Sequence, residues 1–328
     1  NLATLRPRAL FPVFSLDSYP STYQAGAGIA GTSALGDFSY ILLGYYDSYY
    51  SRPEVQASLQ TNILAPLNAT FDFSAAGVPS AVDELDLALT LDLPLYQSLR
   101  RGLSYFSLGT TGSMQWKAGG EEYRTLIPYI LIGFQGAVSQ ALLQIGAQAV
   151  HDVAFADFDY LVLPAISASV LFLGAELGVR ASGLYDLEGL AQWRIPPLPG
   201  YGADDYLDFS WGGTLSSTLS VPLLRLRGGL WNPGLYFGDM FLIPFFRLAF
   251  NQDRELQMSY GGTLHLELKA GAMSQGLPID LYLGLGITGE GMPFPLLGFE
   301  IYGYGGGYAD GQAGSNLRER TPQPVLRH

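Results

Sequence analysis

Three groups of residues have types and spacings that could carry chemistry. His151 stands with Asp152, Asp157 and Asp159 in the run AVHDVAFADFD, and Asp204, Asp205 and Asp208 crowd the run GYGADDYLD. Carboxylates at this density are hard oxygen ligands, so both patches are candidates for a divalent cation such as Ca2+, and the acidic run could also pair with arginines. Neither patch has the spacing of a complete calcium loop, and a hydrated turn is the competing reading. His265, Glu267 and Lys269 alternate in TLHLELKA. Alternation puts them on one face of a strand, where a hydrogen-bond network is expected in preference to a catalytic centre.

Other chemistries lack their residues. Cys is absent and His numbers 3, at 151, 265 and 328, which removes thiolate metal sites, cysteine nucleophiles and His-rich centres. No nucleophile elbow, P-loop or dinucleotide-binding fingerprint occurs, so neither an enzyme nor a resident cofactor is expected. Lys plus Arg number 17 against 29 Asp plus Glu, a net charge of −12, and that balance excludes nucleic-acid binding. Asn68-Ala69-Thr70 fits a glycosylation sequon but falls inside an expected strand.

The elements that must position these residues are strands. LNATFDFSA at 67–75 and LDLALTLDL at 85–93 alternate apolar and polar residues, as do 263–270 and 279–287. A period of two overrides the helix propensity of leucine. Further strands are expected near 22–31, 37–46, 54–61, 100–110, 122–133, 138–149, 158–171, 174–185, 188–195, 209–222, 240–250 and 297–304, about 16 in all. Short Gly-, Pro- and Ser-bearing turns separate them. Longer connections are expected at 196–208 and 228–239.

Charge then decides the kind of sheet. Only 14% of residues are charged and Lys occurs only at 117 and 269, whereas a soluble all-β structural or binding protein, the competing fold, wets its outer face with charged residues. No stretch is long and apolar enough for a membrane helix. The strands instead suit a closed antiparallel transmembrane β-barrel, lipid outside and Gly, Ser, Thr and Tyr inside. Clustered aromatics at 40–50 and at Trp193, Trp211, Trp231 and Tyr236 would serve as interface girdles. The expected division is a barrel over 1–308 and a polar extension over 309–328. The opening NLATLRPRALFP does not read as a signal peptide, which implies a removed leader or a fragment of a longer precursor.

In order along the chain, four stretches resemble the membrane barrel of the Omp85, or bacterial surface antigen, superfamily, especially the version that follows TolB-like propellers. The opening, 6–54, has a Pro-containing lead, a Gly-rich strand, the turn Ala34-Leu35-Gly36-Asp37 and an aromatic strand before Arg52-Pro53-Glu54. PGYGADD at 199–205 is similar to the family's inward-folding loop, with Gly200 and Tyr201 at its Gly and aromatic positions and Pro199 where its arginine would stand. Residues 212–229 resemble a strand leading into an EYRFPL-like segment, here Ser220-Val221-Pro222-Leu223, and 245–250, 259–268 and 277–287 resemble the closing strands. The resemblance implies sixteen strands in the bacterial outer membrane, with lipid and envelope or periplasmic proteins as partners. It supports a membrane anchor or channel within a larger envelope complex. The alternative is Omp85-type protein translocation or outer-membrane protein insertion, which the missing arginine puts in doubt.

Overall fold

In the computed structural model the described residues are 6–18, 21–33, 36–48, 51–78, 81–98, 102–119, 121–152, 157–187, 192–195, 198–202, 205, 207–230, 234–270, 277–301 and 324–325. The first eleven strands are β1 (Arg6–Ser18), β2 (Ser21–Thr32), β3 (Phe38–Asp47), β4 (Arg52–Thr61), β5 (Asn68–Val78), β6 (Ala81–Gln97), β7 (Gly102–Lys117), β8 (Glu121–Gln135), β9 (Ser139–Asp152), β10 (Asp157–Phe172) and β11 (Ala175–Asp186). After β12 (Gln192–Ile195) and β13 (Leu207–Phe209) come β14 (Trp211–Leu230), β15 (Leu235–Asn251), β16 (Leu256–Ala270), β17 (Leu277–Thr288) and β18 (Pro293–Ile301), then β19 (Pro324–Val325). β1–β11 and β14–β18 close a 16-strand antiparallel barrel in sequence order, and β12, β13 and β19 form a small separate sheet.

Register aligns the polar rows of neighbouring strands. Asp86 of β6 lies opposite Ser74 of β5 and Gln115 of β7, and Thr90 opposite Thr70 and Thr111. The lumen is thereby lined by cross-strand polar pairs, Thr90 with Thr111 at 3.0 Å and Ser182 with Thr214 at 2.7 Å. The intervening leucines face outward, so one alternation makes both the wet wall and the greasy belt. Where a ring must lie flat on that wall, glycine makes room: a Cβ on Gly109 or Gly298 would fall inside the rings of Tyr129 and Tyr282.

At one mouth, called here the strap end, an outward girdle holds Tyr23, Tyr46, Trp116, Tyr160, Tyr185 and Trp211, all exposed. Amphipathic rings suit the boundary between hydrocarbon and headgroups. Tyr45 belongs elsewhere than the sequence grouping placed it: it points into the lumen and its hydroxyl donates to Glu54 at 2.6 Å.

The strand count hides two compensating differences. Of the expected strand 188–195 the described residues, 192–195, form β12, outside the barrel, while 6–18, passed over as a lead, form the first barrel strand. Pro7 and Pro12 obscured it. Pro7 adjoins a register shift against β2, between Pro7 and Ala9, where a proline is accommodated in a strand. The expected loop 228–239 is mostly strand, since β14 runs to Leu230 and β15 begins at Leu235. The expected boundary near 308 lies outside the described residues.

Candidate functional site

The long connection between β11 and β14, the eleventh and twelfth barrel strands, turns inward. Its described middle, 198–202, 205 and 207, forms a strap at the strap-end mouth. β12 and β13 pair Trp193 with Phe209 and Ile195 with Leu207, which brings the ends of the strap together. Leu207 and Leu198 then meet Val150, Leu161, Leu163, Leu184 and Ala249, residues of the inward row, in a small apolar core where a water-filled lumen would otherwise be.

Polar contacts fix its position. The Leu198 amide donates to the Gln257 side-chain oxygen at 3.0 Å, and the Gln257 amide nitrogen donates to the Asp205 carbonyl. The Tyr201 hydroxyl donates to the Met258 carbonyl at 3.1 Å and accepts from the Met258 amide at 3.0 Å, a two-point grip on the edge of β16. Pro199 is buried. Gly200 has φ 99°, and a Cβ there would meet Phe294 and Thr288. At the base of the connection Asn251 donates to the Asp208 carbonyl at 2.7 Å.

The acidic patches disperse. Asp205 accepts from the Gly202 amide at 2.6 Å and closes its own turn, and Asp208 is exposed; Asp204 lies outside the described residues. Asp152 and Asp157 face each other in the β9–β10 register with Asp159 two residues on, but their side chains lie outside the description. His151 pairs in register with Arg124 of β8, on the outward row. Among the described residues no group of three or more His, Asp and Glu converges as a metal site.

His265, Glu267 and Lys269 share the inward face of β16. The His265 ring lies 3.0 Å from the Thr263 hydroxyl and stacks on Tyr282 with centroids 5.5 Å apart. Glu267 sits opposite Asp280. This is a wall contact, without the line of nucleophile, base and orienting group that covalent catalysis needs.

Sequence reasoning did not single out the carboxylate wall over β3–β7. Arg52 bonds Glu84 at 2.6 Å, and Gln115 bonds the other oxygen of Glu84 at 2.6 Å. Tyr105 donates to Asp92 at 2.8 Å, and Ser74 to Asp86 at 3.2 Å. Asp72 and Asp86 also border a recess of about 290 Å³ in the wall, floored by Ile41 and Leu43. The polar phase of β5 and β6 held the signal, but only register shows that these acids form one surface.

No known family profile matches the chain, and no curated protein matches its sequence. Similarity appears among solved structures. CdiB from Escherichia coli superposes with a TM-score of 0.63 at 10% identity, over 90% of this chain and 63% of that one. By fold, this is an outer-membrane β-barrel. A bacterial polysaccharide outer membrane secretin matches with a TM-score of 0.54 at 7% identity, over 89% of this chain and 96% of that one. BamA from Haemophilus ducreyi lacking POTRA domains 1–3 matches with a TM-score of 0.50 at 11% identity, over 90% and 71%. The barrel thus has neighbours in the Omp85 group, CdiB and BamA, and beyond it. It spans less than two thirds of the length of the CdiB chain.

Proposed function

We propose that the chain works in the bacterial outer membrane as a channel barrel of Omp85 type, closed at one mouth by the 198–207 strap and forming the membrane-embedded part of a larger envelope assembly. The strap carries this reading. An anchor needs only the outer belt, whereas a segment gripped by Gln257 and Met258 and seated on its own apolar core is a means of closing a passage. Deleting 198–207, with a short Gly-Ser join, is expected to raise single-channel conductance severalfold in planar bilayers. Equal conductance with and without the strap would leave the anchor as the surviving role.

Polypeptide translocation or insertion is the second reading, and the β1–β18 seam favours it. That seam joins the first and last barrel strands, with Phe14–Asp17 opposite Gly298–Ile301 among the described residues. No hairpin joins these two strands, so the closed sheet can part there without breaking a turn. Pro199 in place of the family's arginine means that Tyr201, backbone bonds and leucines hold the strap instead. On this reading the partners are client polypeptides and an upstream POTRA or propeller domain, and the barrel should accelerate the folding of a client barrel in liposomes. No acceleration, with the seam free to open, would exclude insertion.

A further inference from the structure

The end of the barrel opposite the strap is built differently around its circumference. On β10 the outward row carries no polar side chain between Tyr160 and Phe172. At a rise of about 3.4 Å per residue and a tilt of about 40°, that row stands about 31 Å tall, against an apolar band of about 25 Å in barrels of this kind. The greasy surface then continues over the turns. Val138 is 57% exposed in the β8–β9 turn, and Phe172 and Leu173 are 52% and 97% exposed in the β10–β11 turn. The Leu171 amide donates to the Val138 carbonyl at 2.7 Å and holds the two tips side by side.

Leu173 is anomalous for a turn in water. It has φ 50° and Gly174 has φ 83°, a type I′ turn whose first central position normally holds Asn, Asp or Gly. Leucine there bears the cost of a left-handed backbone and leaves its whole side chain outside, and water compensates neither. The β2–β3 turn at the same end is closed by polar contacts, with the Ser33 hydroxyl accepting from the Phe38 amide at 3.2 Å.

We propose that the β8–β9 and β10–β11 tips are immersed in the bilayer, with Val138, Phe172 and Leu173 lying below the headgroups as an extension of the lipid-facing belt. The occupant is hydrocarbon. The tips are continuous with that belt, and residues 136–139 and 171–175 include no Lys, Arg, Asp or Glu. The inference requires only that the barrel stands in a bilayer and is independent of what it transports.

Because the chain has no Cys, Leu173→Cys and Val138→Cys can each carry one nitroxide label. In dioleoyl phosphatidylcholine vesicles at low protein density, both labels should collide with oxygen severalfold more than with a water-soluble nickel chelate. A label at Asp253→Cys, in a strap-end turn, should show the reverse. Chelate-dominated collisions at both tips would overturn the proposal, as would spin–spin broadening that reveals a second copy packed there. Heat-modifiable migration shows which variants are folded. Leu173→Asn, which suits the turn, should unfold at lower urea than the parent in vesicles; unfolding at higher urea would mean that the tip is wet.

Discussion

Gly200 sits where backbone and space both exclude a side chain, with φ 99° and with Phe294 and Thr288 filling the position of a Cβ. Gly200→Ala should weaken strap seating by about 1–3 kcal/mol, the usual cost of a strained local backbone. More frequent openings in planar bilayers, with heat-modifiable migration unchanged, would show it. Tyr201→Phe removes a hydroxyl that makes two bonds to Met258, and at about 1 kcal/mol net for each bond it should raise the open fraction by roughly tenfold or more. An unchanged open fraction would mean that the leucines alone hold the strap. Gly200 and Tyr201 were singled out in the sequence by their resemblance to an inward-folding loop. Leu198 and Leu207 were not, because two leucines in a Pro- and Gly-rich run have no periodicity to reveal a core. For His265 the face could be read from alternation, but its stacking on Tyr282 depends on cross-strand register, which short strand patterns leave open.

At the scale of elements, the seam gives the sharpest test. Phe14 lies opposite Ile301, so Phe14→Cys with Ile301→Cys should permit a disulfide that locks the ring. The lock should abolish any client-folding activity and leave conductance through the lumen intact. Loss of both would show that solutes also pass by way of the seam. Strands with strict alternation, such as 85–93, could be read directly. β1 could not, because its prolines read as a lead, and the register shift against β2 beside Pro7 becomes visible only when its neighbour is known. β12 misled for the opposite reason: its residues have strand character, yet they pair within the connection and not with the barrel wall.

Across the whole molecule, the acids of the β3–β7 wall should make an open lumen prefer cations. Reversal potentials in a salt gradient are expected to show that preference in the strap-deleted barrel, and Asp72→Asn combined with Asp86→Asn should reduce it; anion preference would contradict the charge reading. The ring order has another consequence. Apart from β1 with β18 and β11 with β14, each neighbouring pair in the barrel is adjacent in sequence, so hairpins can add one after another as the chain emerges. The bond between first and last barrel strands must wait until β18 has been made, and until then the sheet has two bare edges that template aggregation. Assembly therefore calls for a guarded interval before closure, and the step that ends it is β1 finding β18.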